Sequence, residues 1–283
     1  MDEGTIRAFW EKYPCGDVLV GRLEDKYAGN YKRFFDEYDA FRYDMEDHIP
    51  RCLDEVDWAG KKVLDIGLGQ GADAEQIVRR GALWTGFDLT QEAIDRVGTR
   101  MEIRGLKIEG LQRGTMMAMP FADGTFDIVF THGALPTVPD TTGAGREFAR
   151  VLKPGGKLII MVYARHSLNY WLSIAVLRRL GLIFLYYTGI KAGGIYDVHV
   201  QQAKEQGLWK YLKMENFIHR NTDGPYNPYI RVHSVADVRK EFPMFEIERV
   251  HKEFMWAPPL KVKWLRFLAP LMGWHLWVHL VKK

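Results

Sequence analysis

Between residues 61 and 164, short apolar runs alternate with amphipathic stretches. Lys62–Gly67 (KVLDIG) reads as a strand, and a glycine turn leads from it into a helix through Ala82. Leu83–Leu89 is the next apolar run, and Thr90 is placed to cap a helix over Gln91–Gly105. Further strands are expected over 107–115, Phe126–His132 and Lys157–Ala164, with a helix over Thr142–Lys153 that Pro154-Gly155-Gly156 should stop. Parallel strands need crossover helices, so this alternation predicts a doubly wound α/β sheet.

The flanking regions follow other patterns. In residues 1–60, Ile6, Phe9 and Trp10 share a helical face that Pro14-Cys15-Gly16 ends. Tyr27, Tyr31, Phe34, Phe35 and Tyr38 then recur at helical spacing, followed by Phe41 and Tyr43. That stripe fits either core packing or a cap facing a ligand, in which case Tyr43 would meet the bound molecule. Residues 165–245 hold an apolar helix near 168–190, a second helix near 198–213, and an irregular segment with Gly224-Pro225 and Asn227-Pro228. Ser234 and Asp237 form a capping box. Two closing strands are expected over 246–255 and 274–282, with a helical stretch at 261–271 between them. The expected organisation is a helical aromatic-rich cap (1–60), a sheet core (61–164), a helical lid (165–245) and two strands completing a seven-stranded, mostly parallel sheet (246–283).

With 47% hydrophobic and 27% charged residues, the chain has the balance of a globular protein with a real core. The net charge of +3 gives no bulk attraction to nucleic acid, and no RNA-binding signature or dense basic stripe appears. The charge is uneven: residues 1–60 carry 8 Lys/Arg against 15 Asp/Glu, and residues 165–283 carry 18 against 9. The basic half fits an anionic partner or the acidic segment of its own chain. Cys15 and Cys52 form no CxxC and neighbour no histidine cluster, so no metal site is expected. The start MDEGTIRAFW lacks an apolar leader, which points to a cytoplasmic protein. Trp171–Ile190 is long enough to span a bilayer, but Arg178 and Arg179 at its middle would cost about 5–7 kcal/mol.

The most informative stretch is Val63-Leu-Asp-Ile-Gly-Leu-Gly-Gln-Gly71, a strand running into a glycine turn that opens a helix. Such a turn lets a ligand approach the backbone, and the helix start favours negative groups. Gly67, Gly69 and Ala72 also satisfy the dinucleotide fingerprint. Asp65 and Asp88 separate the readings. Asp65 sits inside the strand, where it could face a cationic amine, and Asp88 ends the second strand, where a carboxylate can accept from both hydroxyls of a ribose. One ligand carrying a ribose and an ammonium fits both acids, and S-adenosylmethionine carries both.

Here the sequence resembles the class I S-adenosylmethionine-dependent methyltransferases, especially their small-molecule branch, which includes quinone methyltransferases. The resemblance covers about residues 60–165 and rests on VLDIGLGQG (63–71), GFDLT (86–90), MPFADGTFDIVF (119–130) and REFARVLKPGGKLII (146–160). It implies a Rossmann-like fold. It also implies that Asp65, Gly67, Gly69 and Gly71 surround the methionine part of the cofactor and that Asp88, beside Leu89, holds the ribose. The family places an Asp against the adenine amino group where this chain has Thr115, followed by Met116, which could pack on the adenine. After the fourth strand, His132 matches the family's pattern, while Pro136-Thr137 replace a later histidine pair.

Methyl transfer is an in-line displacement that needs alignment and exclusion of water, and a base only where the acceptor loses a proton early. His132, at the carboxyl end of its strand, is the expected catalytic or cofactor-contacting group. His166, Asn169 and Tyr170, leaving the fifth strand, are expected at the acceptor, as are Asn227 and Arg231. The expected activity is methylation of a small, apolar or aromatic acceptor. Two other readings stand beside it: a lipid or quinone methyltransferase at a membrane surface, motivated by the 171–190 and 261–268 segments, and a non-catalytic cofactor-binding module.

Overall fold

The computed structural model describes residues 2–283, with the side chains of residues 18 and 19 excepted. Seven strands form one sheet: β1 (Lys62–Ile66), β2 (Leu83–Asp88), β3 (Gly110–Arg113), β4 (Phe126–His132), β5 (Leu152–Tyr163), β6 (Phe245–Glu253) and β7 (His275–Lys282). Their order is β3-β2-β1-β4-β5-β7-β6, with β1–β5 parallel and β7 antiparallel to both of its neighbours. The order reverses between β1 and β4, so the carboxyl ends of these two strands flank the crevice where ligands of open α/β sheets bind.

Both faces of the sheet are covered, which is why the central strands are continuous apolar runs rather than alternating ones. Leu64, Ile66, Val129 and Leu158 belong to one apolar layer, and Val63, Ile128, Phe130 and Ile159 to the other. β7 divides the same way: Leu276, Val278 and Leu280 face the first layer, and Trp277 the second. The helix Gln91–Ile103 starts where expected, with the Thr90 hydroxyl accepting from the Ala93 N–H. The Ser234–Asp237 capping box is also present.

Three local expectations change. Pro154-Gly155-Gly156 do not separate helix from strand, because β5 already begins at Leu152. The pairing jumps from Phe126↔Leu152 to Ile128↔Lys157, and this bulge absorbs the residues that cannot extend the ladder. The single helix expected near 198–213 is two, Gly194–Gln206 and Leu208–Tyr211, because Gly207 sits at φ +88° between them. A further helix, Met214–Arg220, follows. The apolar helix runs Asn169–Thr188 and begins with π-type turns to Arg178. Arg178 turns inward, its Nε 3.0 Å from Ser173 Oγ and 3.3 Å from the Pro258 carbonyl. Burial lowers this guanidinium's pKa to about 10.

Residues 165–245 have an apolar centre of their own, including Ile174, Ala203, Tyr211, Phe217 and Ile230. In the N-terminal segment, Tyr27, Phe34, Phe35 and Tyr38 are buried, so the aromatic stripe is mainly packing. Some acids of this segment are matched by arginines of one core helix and the turn after it. Asp17 meets Arg96, Asp39 meets Arg100, and Asp36 meets Arg104. As many pair with the basic C-terminal half: Glu55–Arg249, Asp44–Lys263 and Asp47–Arg266. The uneven charge thus folds back on itself at the cap.

Candidate active site

A cavity of about 1010 Å³ opens at the carboxyl ends of β1, β2 and β4, roofed by the helix Glu3–Lys12 and the loop around residue 224. Its first end is built by consecutive strand exits. β1 delivers Asp65, only 3% exposed, whose Oδ2 accepts from Trp84 Nε1 at 3.1 Å. Burial pushes this carboxyl's pKa well above the usual range. Gly67 follows at φ +83°, and a Cβ there would lie 2.1 Å from the Ala134 Cβ, so only glycine fits the turn. Asp88, at the end of β2, holds the glycine loop. Its Oδ2 accepts from Leu68 N–H at 2.7 Å, and its Oδ1 from Thr90 N–H at 2.8 Å and the Thr90 hydroxyl at 2.7 Å. Leu89, Thr115 and Met116 complete this end.

The second end gathers polar and aromatic groups from distant segments. His132 Nδ1 lies 2.7 Å from Asp73 Oδ2, and Arg42 Nη2 reaches the same oxygen at 2.7 Å. Burial alone would raise the Asp73 pKa, but Arg42 and His132 outweigh it and hold the carboxyl well below its usual range. Asp73 is therefore ionised and accepts a hydrogen bond from His132 Nδ1–H, leaving Nε2 as the nitrogen free to accept a proton. Across the chamber, the Tyr163 hydroxyl donates to Asp223 Oδ1 at 3.0 Å. Burial pushes Asp223 up to about 6, against the lowering effect of Tyr163. Tyr163 stacks on Trp274 at 4.9 Å, and Phe254 stacks on Trp256 at 5.5 Å. Tyr13 of the cap stacks on Tyr226 of the lid at 5.6 Å, so the two additions meet over the chamber.

A methyltransferase-domain family model matches residues 64–160, which span β1 through most of β5. The ubiquinone biosynthesis O-methyltransferase of Chromobacterium violaceum is 30% identical over 231 residues, covering 77% of this chain and 93% of that protein. The chain belongs to the class I S-adenosylmethionine-dependent methyltransferases. A sterol 24-C-methyltransferase of Gibberella zeae is 42% identical over 100 residues, which is 34% of this chain and only 26% of that protein. An S-adenosylmethionine-dependent methyltransferase structure from Mesorhizobium loti shares the fold with a TM-score of 0.54 at 15% identity, covering 82% of this chain and 96% of that one. The two named relatives methylate different atoms, so family membership fixes the cofactor and the reaction class but not the acceptor.

The residues present suit that cofactor. A buried Asp65 with one indole donor leaves carboxylate capacity for an ammonium, and Asp88 Oδ2 keeps capacity for a ribose hydroxyl. Thr115 stands where the family has an acid, and its hydroxyl donates to the Glu3 carboxylate. The first helix thus brings an acid to Thr115 from outside the matched region.

Of the residues expected at the cofactor, Asp65, Gly67, Gly69, Asp88, Leu89, Thr115, Met116 and His132 line the cavity. Gly71 does not. It sits at φ +74° as the N-cap of the helix Ala72–Arg79, packed against Val97, and turns the chain rather than meeting a ligand. The residues expected at the acceptor also lie off the cavity. Tyr43 packs against the sheet, with its hydroxyl toward Asp73 at 3.4 Å. His166 is exposed, Asn169 is buried in the helix start, and Tyr170 packs into the lid's own core. Asn227 closes a turn onto Tyr229 N–H, and Arg231 pairs with Glu241. The chain turns away from the cavity at the Ala164–His233 bridge, so Tyr163 is the last residue of β5 to line it. Asp73, Asp223, Trp274 and His275 were missed. Only Asp73, beside the glycine loop, carried any local signal.

Proposed function

We propose that this enzyme methylates a hydroxyl group on a small aromatic acceptor, with His132 as the general base. The observation that carries the reading is the His132–Asp73 pair at 2.7 Å on the wall of an aromatic chamber. A phenolic or enolic oxygen is a poor nucleophile until its proton leaves, and an imidazole held by a carboxylate is suited to take it. The proton passes to His132 Nε2, and Asp73 stabilises the resulting imidazolium. Bound S-adenosylmethionine supplies the activated methyl group. Tyr163, Trp274 and Phe254 offer ring faces that orient an aromatic acceptor and exclude water. The test is labelled-methyl transfer to a panel of phenols and catechols, followed by mass identification of the methylated atom. His132→Gln should lower kcat by about 100-fold or more while changing cofactor affinity less than about threefold. An unaltered kcat, or a carbon-methylated product, overturns the reading.

A membrane-surface setting for the same reaction has its own support. Val176, Leu180, Phe184 and Tyr187 lie on one exposed face of the helix Asn169–Thr188. That helix is long and apolar enough to cross a membrane, yet only 17% of its most apolar window is buried. Beside it, Trp264, Phe267 and Leu271 are 73%, 70% and 72% exposed, with Lys261 and Arg266 among them. Apolar side chains flanked by basic ones suit the boundary of an anionic bilayer. Flotation with vesicles containing phosphatidylglycerol should carry the protein upward at low salt. The triple variant Trp264→Ser, Phe267→Ser, Leu271→Ser should stay at the bottom. Wild-type protein that never floats overturns this setting and leaves the proposed chemistry standing.

A further inference from the structure

Five of the nine histidines gather on one side of the sheet, at its β6–β7 end. His132 and His275 line the cavity, and His48 bonds to His275 at 3.1 Å. His251 and His279 lie beyond Trp277 and outside the cavity lining. The strand register explains the grouping. His251 on β6 pairs with Trp277 on β7, and Arg249 with His279. Alternation sends these residues to the face covered by the helix His48–Asp54. That helix brings Cys52 down onto them.

We propose that Cys52, His251 and Glu253 form a zinc-binding site separate from the methyl-transfer cavity. The Cys52 Sγ and His251 Nε2 atoms are 3.5 Å apart. A tetrahedral zinc with a sulfur ligand at about 2.3 Å and a nitrogen ligand at about 2.0–2.1 Å sets those two atoms about 3.5 Å apart. A Glu253 carboxylate oxygen joins them, with all three ligand atoms within 4.8 Å of one another. Thiolate, imidazole and carboxylate together select zinc over the hard cations magnesium and calcium, which take oxygen ligands. The site is neutral when filled, because Cys52 releases its proton to solvent and Glu253 is ionised. Neutrality suits a place where Cys52 is 3% exposed. Arg51 now touches Glu253 only at 3.5 Å, and its side chain is 66% exposed, so it is free to swing away.

A thiol–imidazole hydrogen bond would account for the 3.5 Å contact alone. The Glu253 oxygen within reach of both atoms argues for more. Among the described residues, Nδ1 of His251 and Nε2 of His279 are buried without a hydrogen-bond partner, and an ion on His251 Nε2 leaves both so. Glu55, His251 and His279 also come within 4.8 Å of one another, so ligating groups exceed what the protein's own hydrogen bonds consume. The cysteine and the histidine stand 199 positions apart in the chain. An ion here would tie the N-terminal cap to the closing strands. His48, on the same helix as Cys52, would then be held against His275 at the acceptor chamber.

The full chain, freed of metal with a chelator, should bind one equivalent of Zn²⁺ by calorimetry. Loaded with Co²⁺, it should show a thiolate-to-cobalt band in the near ultraviolet. Cys52→Ser should abolish the band and weaken zinc binding by more than about 100-fold, the loss of a direct ligand exceeding that of an outer partner. His251→Gln should do the same and serves where the serine variant fails to fold, and Cys15→Ser should leave binding unchanged. No binding by the wild type, or a band lost in Cys15→Ser instead, overturns the assignment. Binding that survives Cys52→Ser but falls in His279→Gln overturns it as well, by moving the ion to Glu55, His251 and His279.

Discussion

The cofactor end of the cavity is made by residues that follow one another at the exits of three parallel strands. The acceptor end is made by side chains from the cap, the glycine-loop helix, β4, β5, the lid loop and the closing strands. At the first end, the chain's local order dictates the geometry. Asp65 and Gly67 are two positions apart, and Asp88 reaches back to Leu68 and forward to Thr90. At the second end, nothing local dictates it. Arg42, Asp73 and His132 meet only because the sheet and the cap bring them together, and Tyr163 meets Asp223 only because the lid folds back over β5. A family can keep the first end and rebuild the second. That fits a pair of relatives whose names place the methyl group on oxygen in one and on carbon in the other.

The largest expected effect tests whether the cofactor end is as self-contained as this contrast implies. Asp88→Ala removes three hydrogen bonds that hold the glycine loop, and with them the carboxylate expected to accept from the ribose. Hydrogen bonds to a charged group contribute about 1.5–3 kcal/mol each. Calorimetric affinity for S-adenosylmethionine should therefore fall by about 100-fold or more, with fluorescence from the acceptor-end tryptophans unchanged. Unchanged affinity would break the comparison, because the ribose acid would then lie elsewhere.

A smaller effect should sharpen the other side. Asp223→Asn keeps the shape but removes the charge that accepts from Tyr163. Acceptor KM should rise by about tenfold, with cofactor affinity within about twofold of wild type. Burial sets Asp223 near 6, so the wild-type dependence of acceptor KM on pH should bend there, and the Asn variant should lose that bend. Equal losses in cofactor and acceptor binding would show that the two ends are one unit.

The same contrast explains what could be read from the sequence. The sheet and its order of elements follow from apolar periodicity, and the residues expected at the cofactor follow from the glycine turn together with the family resemblance built on it. Gly71 was misplaced because its helix-capping role looks the same in sequence as ligand contact. The acceptor residues failed for a geometric reason. His166, Asn169 and Tyr170 follow β5 directly, but past the Ala164–His233 bridge His166 is exposed, Asn169 is buried in the helix start and Tyr170 packs into the lid. Asp223 and Trp274 carry no motif, and their position depends on how the chain returns over the sheet. The aromatic cap is an intermediate case: its spacing showed the helix, but only packing separates buried Phe34 and Phe35 from the cavity-lining Tyr38.

The smallest effect concerns acid. His199, in the lid, has Nδ1 2.6 Å from the Tyr211 hydroxyl, and burial pushes its pKa down to about 4. Burial also lowers His219 in the same lid. An unfolded histidine titrates near 6.5, so between about pH 6.5 and 4 the open lid binds protons that the closed lid refuses. Lid stability is therefore full above about pH 6.5, declines as pH falls toward 4, and changes little below that. Asp73, at the junction of the two ends, responds to acid with the same sign but in a lower window. Its pKa is depressed, so its pairing with Arg42 persists until the pH falls below the ordinary carboxylate range. Hydrogen exchange at pH 7 and pH 5, corrected for intrinsic rates, should show amides of 194–220 opening roughly tenfold more at the lower pH. Those of 63–76 should hold, and His199→Gln should narrow the gap. A uniform change across both segments would mean that the acceptor lid opens only when the whole fold does.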